Sequence, residues 1–322
     1  MIAPPTTQDG RNLDRRIADE HGEGAPIQIE RPDTAWPVPP EAAPQLGGTP
    51  VDTYYDLPVV KTPPWKWYIP TYFYAGGLAG AASTLAAAAT LGGRPRVARR
   101  LHWIAAIGEA AGAACLIADL GRPARFIYML RVFRPTSPMN IGTWILSAAG
   151  ASSGLALLAR PVRGIGLATA GALSGAMLST YTGVLIGNTA IPIWNATRTE
   201  LPLHFAASSA SSLASLLELV GPARRVYSIG AKLAELVTGI AVERAAGAVA
   251  APLREGRSGR MWRGAKWLGV ASLAATVLRR SRLAGALGTA AAVLGRFAIV
   301  EAGKASAADP RATFEPQRRL AP

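Results

Sequence analysis

The chain has 322 residues, of which 50% are apolar and only 17% are charged, and its formal net charge is +14. An average soluble domain carries about 25% charged residues, so this composition favours a membrane protein over a soluble enzyme. The basic residues lie in short segments between apolar blocks, which is the usual pattern of membrane proteins. We therefore expect no nucleic-acid partner.

Polar segments enclose an apolar centre. We predict an extended, Pro-rich polar tail over residues 1–62, a transmembrane helical domain over 63–302 and a polar C-terminal tail over 303–322. No signal peptide is apparent, because the first apolar run begins far from the N-terminus.

The centre divides into apolar blocks of about 18–25 residues, the length that crosses a hydrocarbon core of about 30 Å. Turn signals such as Gly92-Gly93-Arg94-Pro95 and Gly221-Pro222 separate the blocks. We predict an all-α, polytopic fold of about eight transmembrane helices, with both chain ends on one side, here named the tail face. The blocks are 67–91, 101–120, 139–159, 165–191, 202–221, 226–251, 263–280 and 283–302. Many are built from Ala, Gly and Ser, which either lets helices approach closely or reflects a GC-rich genome.

The residues that bind redox metals are scarce. Cys115 is the single cysteine, so this chain can build neither an iron–sulfur cluster nor a disulfide framework. His102 and His204 begin predicted helices at opposite faces, which argues against a bis-histidine haem. A redox role would need an organic carrier, with metal centres supplied by another chain.

Aromatic residues concentrate on the tail face. Six of the eight tryptophans map there, whereas an interfacial aromatic belt decorates both faces. The asymmetry indicates a site or docking surface, with a belt as the alternative. The six are Trp65, Trp67, Trp144, Trp194, Trp262 and Trp267.

The longest loop on that face, residues 119–139, interleaves four arginines with aromatic and large apolar residues. This pattern predicts an amphipathic surface that lies on lipid headgroups or binds an acidic partner. The arginines are Arg122, Arg125, Arg131 and Arg134.

Polar groups also occur inside the apolar blocks. Tyr181, Thr182 and Asn188 must face protein or a ligand, because an unpaired polar group costs several kcal/mol in lipid. Tyr181 and Asn188 are two turns apart and so lie near one helix face, although simple interhelical hydrogen bonding is an alternative.

Ionisable side chains in spans cost roughly 2.5–3.5 kcal/mol at the midplane and suggest either a proton path or buried ion pairs. They are Glu109, Asp119, Glu218, Lys232, Glu235 and Glu243, of which Lys232 and Glu235 could neutralise one another.

Three groups of residues resemble a known family. The segments Gly121-Arg122-Pro123-Ala124-Arg125-Phe126 and Pro135-Thr136-Ser137-Pro138-Met139 look like the loop between the second and third helices of the NrfD family, membrane subunits related to polysulfide reductase. The runs Tyr181-Thr182-Gly183 and Asn188-Thr189-Ala190 are similar to its fourth helix. The closing residues Arg296-Phe297, Gly303-Lys304 and Thr313-Phe314-Glu315-Pro316-Gln317 also match.

The resemblance implies two four-helix bundles without haem, in a bacterial inner membrane and a respiratory chain. Family members bind a quinone (menaquinone or ubiquinone) near one membrane face. There they dock onto a ferredoxin-like iron–sulfur subunit, which is attached to a molybdopterin-type catalytic subunit, and electrons pass between that cluster protein and the quinone. Such a chain is expected to catalyse nothing alone.

Carried over by position, Arg122, Pro123 and Arg125 match the docking loop, and Tyr181 and Asn188 match the stretch that lines the quinone pocket. We further predict docking by Phe126, Arg131 and Arg134, and quinone binding by Thr182, Tyr72, Trp194 and His204. Relatives can have Asn and His at the start of the first helix, where this chain has Tyr68 and Tyr72. The quinone partner is therefore open between Tyr68, Tyr72 and His204. Tyr181 is the predicted proton donor, with Glu109 and Asp119 supplying protons.

Two other functions compete with this interpretation. A secondary transporter would show internal repeats and broken helices at matching positions, and no convincing repeat is visible. A membrane anchor without a quinone site would keep the arginine loop and lose the Tyr181 pocket.

Overall fold

The computed structural model describes residues 45–46, 49–50, 58–158, 165–221 and 223–313. Most of the predicted tail at 1–62 and the closing motif at 314–317 lie outside these ranges. The chain divides into two units, Met1–Asp56 and Leu57–Pro322. In the first unit, β1 (Gln45–Leu46) pairs antiparallel with β2 (Thr49–Pro50). The domain boundaries at residues 62 and 302 stay predictions.

All described helices belong to the second unit. The eight long ones are α1 (Tyr68–Leu91), α2 (Pro95–Leu120), α4 (Pro138–Leu158), α5 (Ile165–Gly187), α7 (Glu200–Val220), α8 (Arg225–Ala246), α10 (Gly256–Val277) and α11 (Ser281–Ala308). Short helices connect them on one side, namely α3 (Ala124–Arg131), α6 (Pro192–Ala196), a 3-10 turn (Gly247–Val249) and α9 (Ala251–Arg254). Each long helix overlaps one predicted block.

Glycines end several helices, at predicted turns for Gly93 and Gly121 and inside a predicted block for Gly247. Gly93, Gly121 and Gly247 have φ of +68°, +69° and +46°, a region that only glycine adopts readily. At the first of these turns Gly92 N–H donates to Ala88 O, and Pro95 then begins α2, where its missing N–H costs nothing.

Four of the described helices, α2, α4, α7 and α11, are long and apolar enough to cross a membrane. The small residues of α1 and α5 lower their hydropathy, and charged side chains interrupt α8 and α10. The count of eight spans therefore stays a prediction.

The long helices pack as two groups of four. The first bundle is a ring of α1, α2, α4 and α5, and the second is a ring of α7, α8, α10 and α11. Helix α1 joins the bundles by packing on α7 and α11. Small residues permit the closest contacts, since a Cβ added to Gly80 of α1 would lie 2.5 Å from Gly175 O of α5. This contact supports the close-packing interpretation of the small residues.

Ion pairs occupy the second bundle. Lys232 Nζ lies 2.5 Å from Glu218 Oε2 and donates to Thr276 Oγ1, so the structure pairs Lys232 with Glu218 on α7 and not with its helical neighbour Glu235. Nearer the other end of α8, Glu243 Oε1 lies 2.5 Å from Lys266 Nζ. Of the predicted alternatives, buried ion pairing thus applies to Glu218 and Lys232, whereas the Glu243–Lys266 pair is partly exposed, with 27% and 36% of the side chains accessible.

Candidate functional site at the tail face

The arginine loop forms an exposed, amphipathic surface around α3. Phe126 is half-buried and packs against the main hydrophobic cluster, so it fixes α3 to the body of the protein. Exposed apolar side chains accompany the arginines, notably Tyr128 and Phe133, and the Phe133 ring meets Trp144 edge-on at 6.0 Å. Every predicted docking arginine is exposed, namely Arg122, Arg125, Arg131 and Arg134. A partner can therefore reach all four.

Asn140 holds this loop in shape, and sequence reasoning missed it. Its side-chain Nδ2 donates to Met129 O at 2.6 Å and to Val132 O at 2.9 Å. Its Oδ1 accepts from Arg134 N–H at 2.7 Å. Asn140 is buried in the first turn of α4, so three hydrogen bonds tie the loop to a long helix.

Replacing this side chain should loosen the loop. In Asn140→Ala the three bonds are lost, each worth about 0.5–1.5 kcal/mol, and local opening becomes more frequent. We expect limited trypsin digestion of the detergent-solubilised protein to cut after Arg131 at least about tenfold faster. The control is Thr136→Ala, an exposed position in the same loop that should leave the rate unchanged. Equal cleavage of Asn140→Ala and the parent chain would contradict the clamp.

Tyr181 lies in the last turns of α5 and closes against α4. Its hydroxyl donates to Pro138 O, and its ring occupies the space beside Gly142, where an added Cβ would lie 2.2 Å from Tyr181 Cε1. The neighbouring Thr182 is fully buried and its Oγ1 has no partner among the described residues. Asn188 follows the end of α5, is exposed and donates to Val184 O, so it does not share a wall with Tyr181.

Tyr72 provides a second phenol in the first bundle. Its ring packs against Gly76 and Gly112, and only 3% of the residue is exposed. Tyr72 and Tyr181 belong to one hydrophobic cluster and lie close enough to interact electrostatically. Within the described ranges no hydrogen bond engages the Tyr72 hydroxyl, which leaves that donor available. Tyr68, by contrast, is half-buried and its ring lies against Trp67.

A hydrogen bond and two ring contacts hold Trp194 in place. Its indole Nε1 donates to Ile299 O at 3.0 Å, its ring lies against Gly303 of α11, and it stacks on Trp65 with 5.3 Å between ring centroids. The residues before α1, in α6 and at the end of α11 therefore meet at one end of the molecule. This agrees with the predicted clustering of aromatic residues at the tail face.

The two carboxyl groups predicted to supply protons, those of Glu109 and Asp119, lie in different surroundings. Glu109 is buried in the first bundle, where its Oε1 accepts from Ser83 at 3.0 Å and from Ser153 at 3.2 Å, while its Oε2 has no described partner. Ser83 follows Tyr72 by eleven residues, about 16 Å along the helix axis, so the carboxyl group lies at another depth. Asp119 is exposed in the last turn of α2.

His204 lies in α7 of the second bundle, whereas Tyr181 lies in α5 of the first. Its Nδ1 is 3.1 Å from Thr238 Oγ1, and its ring meets Trp262 at 5.6 Å. Both rings line a cavity that also contains Arg296. Among the described residues no group of three His, Cys, Asp or Glu is placed to hold a metal ion.

Arg296 is a buried cation within a helix, and it is missing from the ionisable residues predicted to lie in the spans. It occupies the interior of α11 with only 2% exposed, and its Nη2 donates to Phe205 O at 3.0 Å. A lone arginine in an apolar run of this length is itself a signal, because such a charge is costly in a span.

The family model for polysulfide reductase of the NrfD type matches residues 51–309, which is most of the chain and includes all eight long helices. The chain belongs to the polysulfide reductase family. The predicted NrfD-type relationship is thereby confirmed, and with it a multi-pass α-helical membrane protein that serves as a subunit of a redox complex. A comparison with curated proteins gives no match.

Proposed function

We propose that this polysulfide reductase family member is the quinone-reactive subunit of an oxidoreductase in a bacterial inner membrane. It passes electrons between an iron–sulfur partner and the quinone pool of a respiratory chain, and a molybdopterin-type subunit carries out the substrate chemistry. The observation that carries the proposal is the family match over residues 51–309. Direct support comes from the exposed arginine surface beside the Tyr72 and Tyr181 phenols.

The two tyrosines supply hydrogen-bond donors of the kind that a quinone headgroup needs. When bound, a quinone supplies the two-electron, two-proton chemistry, and its carbonyl oxygens need hydrogen-bond donors. The Tyr72 hydroxyl has no hydrogen-bond partner among the described residues, so it can orient one carbonyl directly. The Tyr181 hydroxyl donates to Pro138 O and would orient the second carbonyl by exchanging that acceptor for the quinone oxygen. The unpartnered Thr182 Oγ1 gives the same region a further donor. In this proposal Asp119, at the exposed end of α2, takes protons from water, and Glu109 holds one deeper in the first bundle.

The arginine loop is the proposed docking surface. Four exposed arginines on one rigid loop suit an acidic protein surface, because arginine pairs well with carboxylates. The clamp of Asn140 reduces the ordering cost of binding. A ferredoxin-like subunit docked here would place its terminal cluster on the same side as Tyr72 and Tyr181.

Purification of the tagged chain in mild detergent tests the assembly. We expect an iron–sulfur protein and a quinone to co-purify, identified by mass spectrometry and solvent extraction. Arg125→Glu with Arg131→Glu should reduce recovery of the partner by about tenfold or more, since like charges are then opposed. The matched control is Arg99→Glu with Arg100→Glu, two exposed arginines at the start of α2 on the opposite face. Recovery of the chain alone under several detergents would favour a transporter.

Substitution of the phenols tests the quinone site. Tyr72→Phe and Tyr181→Phe each remove one hydroxyl and should lower quinone-linked turnover of the assembled complex by about tenfold, the effect of 1.4 kcal/mol. Tyr128→Phe, an exposed phenol of α3, is the control for turnover. Unchanged turnover in both variants, with partner binding intact, would support an anchor that lacks this quinone site.

A further inference from the structure

A cavity lies at the centre of the second bundle, and all four of its helices contribute to the wall. Its volume is about 30 Å³. The polar members of the wall are His204 and Ser208 from α7, Glu235 from α8, Lys266 from α10 and Arg296 from α11. The proposed quinone site uses none of them: His204, a candidate quinone ligand from the sequence, lies in the second bundle, whereas Tyr72 and Tyr181 lie in the first.

The Arg296 guanidinium is only partly satisfied by protein. Its Nη2 donates to Phe205 O at 3.0 Å and to Ser209 Oγ at 3.3 Å, and its Cζ lies 3.8 Å above the centre of the Phe205 ring. The Nε and Nη1 groups are buried and have no hydrogen-bond partner among the described residues. Buried N–H groups of a cation are almost always paired in folded proteins. These two donors therefore require an acceptor other than an atom of the described residues.

The cavity has the size and polarity for water. One water molecule needs roughly 10–15 Å³ of such space and two to four polar partners. The observed 30 Å³ thus holds about two molecules, and a quinone ring is too large to enter. Water can accept from the guanidinium and at the same time donate to a carboxylate, which a purely anionic ligand cannot do.

We propose that this cavity is a hydrated polar site, in which water bound to Nε and Nη1 of Arg296 connects the guanidinium to the Glu235 carboxyl group and to the His204 ring. Glu235 lies beside Ser208 and Ser211, and the charges around it are Arg296, Lys232 and Lys266. The water molecules let Glu235 exchange a proton. A carboxylate oxygen takes a proton from the adjacent water as that water takes one from the next, and the last water takes its proton from solvent beside Lys266, a wall residue whose side chain is 36% exposed. The second bundle therefore contains an exchangeable acid, and its proton exchange does not depend on Tyr72 or Tyr181.

Two glycines of α8 give a matched test of the water. A Cβ at Gly239 would lie 3.5 Å from His204 Cε1 and 3.8 Å from Trp262 Cζ2, an ordinary contact inside the cavity wall, whereas a Cβ at Gly230 meets nothing within 4 Å. Alanine at either position improves helix propensity, so Gly230→Ala should raise the melting temperature by roughly 2–4 °C. In Gly239→Ala the methyl group displaces water and leaves Arg296 unpaired, so we expect the melting temperature to fall below that of the parent.

If the cavity contains no water, we expect the opposite order of melting temperatures for the two variants. If the space were empty, the added methyl group would fill it, and Gly239→Ala would stabilise the protein at least as much as Gly230→Ala. That result would overturn the proposal. Melting is also compared in sodium chloride and sodium gluconate of equal ionic strength. We expect the same value in both, and a rise confined to chloride would show a bound halide in place of water.

Infrared spectroscopy tests the exchangeable acid directly. On transfer of the detergent-solubilised chain from H₂O to D₂O, we expect the C=O band of a protonated carboxylic acid to shift within minutes and to be absent from Glu235→Gln. Glu109→Gln, which removes a buried glutamate of the first bundle, should leave this band in place. A Glu235 band that stays unshifted for hours would show that water does not reach the site. Neither measurement depends on a quinone or a partner, so the outcome is separate from that of the proposed function.

Discussion

Lys232→Met should be among the most destabilising single substitutions in this protein. The Lys232–Glu218 pair is buried, with 2% and 4% of the side chains exposed, and removal of the lysine leaves Glu218 as an uncompensated charge. Breaking a buried pair in this way costs about 3–5 kcal/mol. We expect the melting temperature in detergent to fall by on the order of 10 °C.

A surface pair and a double variant provide the controls. Lys304→Met breaks the Lys304–Glu301 pair, whose side chains are 26% and 31% exposed, and should cost no more than about 1 kcal/mol. Lys232→Met combined with Glu218→Leu removes both buried charges and should recover most of the lost stability. Thr276 stays satisfied in the double variant, because its Oγ1 also donates to Ser272 O at 3.0 Å. A double variant as unstable as Lys232→Met would show that the charges themselves are not the cause.

Gly142→Ala should disable the quinone site without a change in any polar group. The added Cβ would lie 2.2 Å from Tyr181 Cε1 and 2.4 Å from Cζ, so the ring must leave its position beside Pro138. Overpacking of this kind costs about 1–3 kcal/mol of stability. We expect quinone-linked turnover of the assembled complex to fall by about tenfold or more, since a displaced Tyr181 cannot orient a carbonyl.

The same substitution elsewhere in α4 is the control for Gly142→Ala. A Cβ at Gly150 meets nothing within 4 Å, so Gly150→Ala should keep both stability and turnover. Recovery of the iron–sulfur partner should be equal in the two variants, because neither touches the arginine loop. Full turnover in Gly142→Ala, with the protein folded, would mean that the position of Tyr181 does not matter for the reaction.

The sequence predicted where the long helices lie, and missed where several of them begin and end. Apolar composition marks the stretch that avoids water, whereas backbone hydrogen bonding continues into charged turns. Helix α10 thus begins at Gly256, seven residues before the predicted start, and includes three arginines in its first turns. Helix α8 ends earlier than predicted, at Ala246, because Gly247 adopts a positive φ that breaks the helix.

The candidate site was harder to predict than the helices. The exposed arginines and the buried Tyr181 follow from composition and span length alone. The Asn140 clamp joins a side chain to three backbone groups across a loop, and no spacing in the sequence specifies such contacts. The partner of Lys232 is likewise fixed by the packing of α7 against α8 and not by helical periodicity, which had suggested Glu235.

The contact between α1 and α5 has a consequence for how a lipid-soluble molecule reaches the tyrosines. At Gly80 and Gly175 the two backbones touch, with each added Cβ falling within 2.6 Å of the opposite carbonyl oxygen. An isoprenoid chain cannot slide between helices at such a separation. Lateral access from the bilayer is closed at the level of Gly80 and Gly175, so a quinone bound at the proposed site would have to approach Tyr72 by another path. The isoprenoid tail of the bound quinone would then leave the protein in one direction. Photo-crosslinking with a tail-labelled quinone can identify the helices that the tail contacts.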